Sequence, residues 1–318
     1  MRVKGMSVVP VGAVPLSGIL LALGGSVVFS VNDVAIKFLS GAYPLHQVVL
    51  VRAVIGLIFL TALIAATGGN WRQLRTRRPR THLLRVVIVV TSNATYFLGL
   101  AALPLADAVA MAFVAPVFIT LLSIVMLKEK VGPHRWAAVA AGLIGTFVMM
   151  RPGQGAIQPA AILILISAAC YALSQLLARG MRETESAIAL SFYIQVGFLV
   201  TSGAMGLWAG DGHMAGSGDA SLAFLLRAWV WPPMQDWPAF LATGLAVAVG
   251  SLMIAQAYRT LEAAVVAPFE YAAIPMAILW GVLVFGTFPD PQGLLGMVLI
   301  VGAGLYTLWR EAVRGRIG

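Results

Sequence analysis

The chain has 318 residues, of which 60% are hydrophobic and only 10% charged, and its formal net charge is +9. Soluble domains usually have about a quarter of their residues charged, so this composition excludes a soluble globular protein and indicates a polytopic membrane protein. The basic excess is interpreted as loop anchors at a membrane surface, not as a nucleic-acid surface. A single cysteine, Cys170, excludes an intramolecular disulfide and a cysteine metal cluster.

Uncharged stretches recur along the chain, and most reach the ~20 residues that a helix needs to cross a bilayer. They predict an all-α integral membrane protein with ten transmembrane helices, numbered here as spans one to ten. The predicted spans, in chain order, are 14–36, 45–67, 83–102, 106–127, 135–151, 158–178, 187–209, 238–258, 262–286 and 291–309.

The loop charges predict the orientation of these spans. If both termini are cytoplasmic, 17 of the 21 basic residues fall in or beside cytoplasmic segments, as the positive-inside rule requires. The connection 210–237 is then a periplasmic loop, first Gly-rich and then aromatic, with Trp229, Trp231 and Trp237 at the membrane interface.

One passage occurs twice. The stretch from Ala101 and the stretch from Ala257 share an Ala/Val-rich run with a proline (Pro116; Pro268 and Pro275), a short loop and a Gly-spaced apolar run. They fall on spans four and five and on spans nine and ten. Because a five-span unit is odd, the second copy enters the membrane in the opposite sense. The sequence therefore predicts two inverted five-helix repeats, residues 1–151 and 152–318, which is an arrangement typical of secondary transporters.

The chain resembles the EamA family of the drug/metabolite transporter superfamily over nearly its whole length. The resemblance rests on Arg52 in LHQVVLVRAVIGL, on SNATYFLGLAALPLADAVAMAFVAPVF and on AYRTLEAAVVAPFEYAAIPMAILWGVLVFG. The family often has an acid after each long run. Glu129 fits this pattern and Thr287 departs from it. The resemblance implies a carrier of amino-acid-like metabolites or of vitamins and cofactors, and the second half is most similar to riboflavin and S-adenosylmethionine carriers.

Charged residues inside spans are costly and therefore functional candidates. Arg52 is expected to bind a substrate carboxylate or phosphate, or else to pair with Asp33 or extend to the headgroups. Asp33 is spaced i,i+4 from Lys37 and can pair with it. If Asp33 or Glu270 faces a wet cavity instead, it is a candidate for proton coupling.

Further polar residues complete the predicted substrate and ion pathway. They are as often contacts between helices as substrate contacts. In the first half they cluster toward the outer side and in the second toward the inner side, as an in-plane two-fold axis predicts. The full set is Asn32, Asp33, Arg52, Asn93, Tyr96, Tyr171, Ser174, Gln175, Tyr193, Gln195, Gln256, Glu270 and Tyr271.

These features predict a secondary-active transporter of the bacterial inner membrane. It would move an amino-acid-like or vitamin-like substrate such as riboflavin by alternating access, with proton coupling as a candidate driving force and without cofactor or nucleic acid. The sequence has no P-loop, and its four histidines form no metal-spaced pair. An intramembrane enzyme and a channel are the alternatives. The duplication speaks against the enzyme, and the channel would require a ring of identical charges.

Overall fold

A computed structural model describes residues 16–68, 71–128, 132–150, 158–181, 184–260, 266 and 269–315. Over these residues the secondary structure is helical, with short 3₁₀ turns at Trp71–Leu74 and Met234–Asp236. The α-helices are α1 (Leu16–Ser40), α2 (Leu45–Ala66), α3 (Pro79–Ala102), α4 (Leu105–Ala112), α5 (Ala115–Leu127), α6 (Pro133–Met150), α7 (Pro159–Met181), α8 (Ala187–Ala209), α9 (Ala220–Leu226), α10 (Trp237–Thr260), α11 (Ala273–Phe285) and α12 (Pro291–Gly315).

Within the described ranges, seven helical segments are long and apolar enough to cross a membrane: α1, α2, α3, α4 together with α5, α7, α8 and α10. Shorter apolar helices of 10–17 residues occur in α6, α11 and α12. The chain is thus a multi-pass membrane protein. The predicted boundaries are off by up to six residues, because α12 continues to Gly315, α1 continues to Ser40 and α3 already begins at Pro79.

The helices pack in a regular set of pairs. The most extensive contacts join α1 to α10, α3 to α7, α6 to α12 and α2 to α8, and α4 packs against α11. Several pairs approach closely at glycines. A Cβ atom on Gly145 of α6 would lie 2.9 Å from the Gly296 carbonyl oxygen of α12, and one on Gly99 of α3 would lie 2.8 Å from the Ala160 carbonyl oxygen of α7. Such small residues allow helix backbones to come together in a bilayer.

Two predicted spans are broken by proline. A proline cannot donate to the carbonyl four residues earlier, and its ring clashes with that carbonyl. The residue four before Pro116 is Ala112, where α4 ends. The residue four before Pro275 is Tyr271, which lies in the turn just before α11. Spans four and nine were each predicted as one continuous helix, and the structure shows that each is interrupted. After the break, both continue as helices of 13 residues. Pro268 lies outside the described residues.

Candidate functional site

A buried polar network joins the first three helices. Tyr96 of α3 donates its hydroxyl hydrogen to Asp33 Oδ2 of α1 over 3.1 Å, and the Asn32 amide nitrogen donates to Asp33 Oδ1 over 3.1 Å. Asn32 is buried and Asp33 half-buried. Lys37 does not pair with Asp33, contrary to the i,i+4 expectation. Its ammonium donates to the carbonyl oxygens of Leu100 and Leu103 and so binds the C-terminal end of α3, where cations are stabilised.

Arg52 lies beside this network on α2, with only 3% of its surface exposed. Its Nη2 donates to Asn93 Oδ1 of α3 over 2.6 Å. The guanidinium carbon lies 5.2 Å from the Phe97 ring centroid and 5.0 Å from that of Phe198 on α8. Such contacts with aromatic faces stabilise a desolvated cation. Arg52 is therefore held inside the protein and does not extend to the headgroups.

The network lies within the depth of a hydrocarbon core. Asp33 is seven residues from the end of α1, Arg52 seven from the start of α2 and Asn93 nine from the end of α3. At 1.5 Å per helical residue, all three lie about 10–14 Å from the same end of the bundle. The Asp33 carboxylate is within electrostatic range of the Arg52 guanidinium, so the two charges offset each other in an apolar setting.

Gln195 of α8 lies one turn along from Arg52. A Cβ atom on Gly56, four residues after Arg52 on α2, would lie 2.0 Å from Gln195 Nε2. Residues four apart share a helix face, so the Gln195 amide lies on the same face of α2 as the Arg52 guanidinium. This contact places the Gln195 side chain, from the second half of the chain, about one helical turn from Arg52.

A second polar group lies on α7, as its i, i+3, i+4 spacing predicts. Gln175 donates to the Tyr171 hydroxyl over 2.9 Å, and the Ser174 hydroxyl bonds the Tyr171 carbonyl. Tyr171 is within electrostatic range of Glu270 and of Arg85 on α3. Tyr171, Gln175 and Glu270 thus form a second, loose polar group.

Glu270 and Tyr271 lie at the break before α11. The Tyr271 ring stacks on Phe113, which follows α4 at the other break, with centroids 4.8 Å apart. The Tyr271 hydroxyl packs against Gly304 of α12. Glu270 is half-buried and has an interaction of its own. The two broken segments therefore meet at their breaks through an aromatic pair.

Two further predicted pathway residues are Tyr193 and Gln256. Tyr193 donates to the Leu74 carbonyl over 2.9 Å, near the 3₁₀ turn that precedes α3. Gln256 is exposed on α10. Phe97, Phe198 and Trp280 were missed by the sequence analysis, although Trp280 Nε1 donates to Ser30 Oγ of α1 over 2.9 Å. In an apolar span, the sequence does not distinguish an aromatic residue that contacts the site from one that only packs between helices.

Segment 210–237 is fastened to the turn between α1 and α2 by what we call the Gln47 clasp. The Gln47 side chain exchanges two hydrogen bonds with the Val230 backbone, at 2.6 and 3.2 Å. Arg227 donates to the Ser40 carbonyl over 2.9 Å, and the Tyr43 hydroxyl donates to the Asp236 carboxylate. Trp229 stacks on His46, whereas Trp231 is 85% exposed.

A Glu185 clasp lies at the opposite end of the bundle, between α7 and α8. Its carboxylate accepts hydrogen bonds from the Thr76 hydroxyl and the Arg77 backbone N–H, both 3.0 Å, and lies 3.1 Å from His82 Nε2. Burial raises the pKa of Glu185, but the His82, Arg77 and Thr76 hydrogen bonds outweigh it and hold that pKa below its ordinary value. The clasp ties the loop before α3 to the turn before α8.

The described residues contain no group of three or more His, Cys, Asp or Glu side chains that could hold a metal ion. Among the sequence-predicted positions, Glu129 lies outside the described ranges. Thr287 closes the C-terminal end of α11, where its N–H bonds the Gly281 carbonyl after Gly286 in the left-handed region, φ 65°.

Comparisons with known proteins agree with a transporter. The model of the EamA-like transporter family matches residues 16–151. A riboflavin transporter of Rhizobium johnstonii is 32% identical over 261 residues, which cover 82% of this chain and 80% of that protein. An S-adenosylmethionine uptake transporter of Rickettsia prowazekii is 24% identical over 296 residues, 93% of this chain and 94% of that protein.

The fold has a counterpart among solved structures. One crystal structure superposes with a TM-score of 0.62 at 20% identity and covers 91% of this chain and 96% of that chain. At this identity the likeness concerns the fold alone. The Rhizobium relative, aligned over most of both chains, establishes the family, and this chain belongs to the EamA-like transporters of the drug/metabolite transporter superfamily.

Proposed function

We propose that this protein is a secondary carrier that moves a small vitamin-like or cofactor-like metabolite across the bacterial inner membrane by alternating access. The network of half-buried Asp33, Tyr96 and Asn93 with buried Arg52 carries this proposal. Ionised groups about 10 Å inside a span are retained at a cost of roughly 3 kcal/mol each, and they usually mark a substrate or ion pathway.

The helix pairs support two inverted five-helix repeats, residues 1–151 and 152–318. In the proposed ten-span count, α1, α2 and α3 are spans one to three, α6 is span five, and α7, α8, α10 and α12 are spans six, seven, eight and ten. If five is added to each span number, and counting starts again at one after ten, the pair α1–α10 becomes the pair α7–α3. Both pairs are among the most extensive helix contacts. The same renumbering exchanges α2 with α8 and α6 with α12, so these two contacting pairs are unchanged. A two-fold relation between the halves accounts for this pattern.

The two broken segments support the same relation. Each has an aromatic residue two positions before a 13-residue helix, Phe113 before α5 and Tyr271 before α11. The two rings stack on each other. Interrupted helices that meet between inverted repeats are a common feature of carriers, because the freed backbone groups can serve the transported solute.

The two clasps supply the gates that alternating access needs. The Gln47 clasp joins the turn between spans one and two to the loop between spans seven and eight. The Glu185 clasp joins the turn between spans six and seven to the loop between spans two and three. Adding five to each span number converts the two connections joined by the Gln47 clasp into the two joined by the Glu185 clasp, so the clasps occupy equivalent places in the two halves. We infer that each clasp closes one face, and that the Glu185 clasp is cytoplasmic because 17 of 21 basic residues then lie on that side.

Riboflavin is the substrate that we propose first. Relatives from Rhizobium johnstonii and Vibrio cholerae are riboflavin transporters, at 32% and 27% identity. The S-adenosylmethionine relatives have lower identities, 24% in Rickettsia prowazekii. An amino-acid-like substrate is the second candidate, because a buried guanidinium such as Arg52 suits a carboxylate. Proton coupling through Asp33 or Glu270 would supply the driving force.

Uptake into proteoliposomes tests the proposal. The purified protein should take up riboflavin into the vesicles, and Arg52→Ala should abolish uptake. Thr95→Val should leave uptake unchanged, because the half-buried Thr95 hydroxyl bonds carbonyl oxygens of its own helix, α3. An imposed pH gradient should accelerate the wild type if transport is proton-coupled. Failure of the wild type to move riboflavin, amino acids or S-adenosylmethionine in any gradient would contradict the proposal.

A further inference from the structure

Two buried polar atoms of the network have no hydrogen-bond partner within the described part of the protein: Asn32 Oδ1 and Arg52 Nε. Asn32 is 5% exposed and Arg52 is 3% exposed, so neither atom can turn to bulk water. Leaving a buried polar atom unsatisfied costs about 1–3 kcal/mol. One hydrogen-bond acceptor and one donor are therefore available beside Asp33.

The orientation of the Asn32 amide follows from its neighbour. Asp33 accepts hydrogen bonds at both oxygens, from Asn32 Nδ2 and from the Tyr96 hydroxyl. An ionised carboxylate can only accept, so the amide nitrogen must face Asp33 and the Asn32 oxygen must face away from it. Asn93 likewise already occupies Arg52 Nη2, and the Nε–H is a fully buried Arg52 donor without a partner among the described residues.

We propose that these two atoms bind the edge of an uncharged ring amide, with a ligand N–H donating to Asn32 Oδ1 and a ligand C=O accepting from Arg52 Nε. This inference rests on the proposed carrier function and names the part of the substrate that the site recognises. The pyrimidinedione ring of a flavin carries such an N–H between two carbonyl groups.

The surrounding charges select against an anion at this position. A carboxylate would satisfy Arg52 but would lie close to the Asn32 oxygen and to Asp33, which also attracts the guanidinium. Like charges in a low-dielectric interior repel strongly. Arg52 therefore acts as a hydrogen-bond donor to a neutral group, instead of as the carboxylate ligand that its sequence position suggested.

The surroundings also favour a planar ring over a polyol. Phe97 and Phe198 lie about the guanidinium, and both belong to the apolar core of the bundle. The fully buried network atoms that lack a partner among the described residues are one acceptor and one donor, Asn32 Oδ1 and Arg52 Nε. A polyol would bring several hydroxyl groups here, and each hydroxyl left without a hydrogen bond would be desolvated at a cost. A ring amide presents one donor and one acceptor with apolar faces.

Binding of two matched flavins to the full-length protein in detergent tests the assignment. Lumiflavin has the ring amide without a polyol chain, and 3-methyllumiflavin differs from it only by a methyl group on that N–H. Quenching of flavin fluorescence gives both affinities. The wild type should bind 3-methyllumiflavin about tenfold or more weakly, since the methyl group removes the donor and leaves the Asn32 oxygen unsatisfied.

Asn32→Leu should bind both flavins with equal affinity, because the acceptor that distinguishes them is gone. Thr95→Val should keep the wild-type discrimination. Equal affinities in the wild type, or discrimination that persists in Asn32→Leu, would overturn the assignment while leaving flavin transport intact. Failure of the wild type to bind either flavin would overturn the assignment together with riboflavin as the proposed substrate. The wild-type comparison needs no variant and stands even if Asn32→Leu does not fold.

Discussion

Replacing Glu185 by alanine should open the face of the protein that the Glu185 clasp closes. The carboxylate accepts two hydrogen bonds at 3.0 Å and lies 3.1 Å from His82, with 8% of the residue exposed. Hydrogen bonds to a charged group contribute about 1.5–3 kcal/mol. Taking the upper figure, because several donors share this carboxylate, the ratio of open to closed molecules should rise roughly 100-fold, since each 1.4 kcal/mol is a factor of ten.

The same clasp should weaken in acid. The pKa of Glu185 lies below its ordinary value of 4.5, so the carboxylate stabilises the clasped form fully at neutral pH. This contribution is lost as the pH falls through the lowered pKa, because protonation removes the acceptor. Glu185→Gln keeps one acceptor oxygen without the charge. It should open less than Glu185→Ala and should remove the acid dependence.

Distances between two spin labels measure this opening. Cys170 is the single cysteine, so Cys170→Ala gives a clean background for labels at Arg75→Cys and Gly180→Cys, both exposed beside the clasp. Glu185→Ala should shift the distance distribution to longer values. Asp211→Ala, which breaks an exposed His–Asp pair, should not shift it. An unchanged distribution in Glu185→Ala would refute the assignment of this clasp as a gate.

Three further predictions concern the network and the helix contacts. Arg52→Ala should lower the rate of riboflavin uptake by at least 100-fold with normal membrane insertion, and wild-type uptake by this variant would remove Arg52 from the site. Gly145→Ala should lower the free energy of unfolding by about 1–3 kcal/mol, since its Cβ meets the α12 backbone, whereas Gly302→Ala on α12 meets nothing and should be neutral in a thermal melt. Asp33→Asn should abolish any acceleration of uptake by a pH gradient while counterflow persists, and an undiminished acceleration would exclude Asp33 as the coupling group.

The helices were predictable from the sequence because hydrocarbon thickness sets the length of an uncharged run. Pro116 and Pro275 lie in the two interrupted spans, and the position of each break follows from the carbonyl four residues earlier. The ends of α1 and α3 were missed by four residues, since polar residues such as His82 continue a helix beyond its apolar run.

The network was predictable in its members and less so in its bonds. Charged residues inside predicted spans indicated Asp33 and Arg52, and Asn93 and Tyr96 were included as polar residues within the apolar span three. The sequence could not indicate that Lys37 binds the end of α3, because local spacing favoured Asp33. Glu185 was also missed. From sequence, an acidic residue in a basic loop is expected to be exposed to solvent. Its contacts with Thr76 and His82 arise only from the tertiary fold.

Counterflow in proteoliposomes tests the central claim, that this chain is a carrier with alternating access. Vesicles loaded with unlabelled riboflavin and placed in a trace of labelled riboflavin should accumulate label transiently above its equilibrium level, because each returning carrier is already loaded. Arg52→Ala vesicles should show no such overshoot. Entry of label by the wild type without an overshoot, or at a rate unaffected by the internal load, would indicate a channel and would contradict the account.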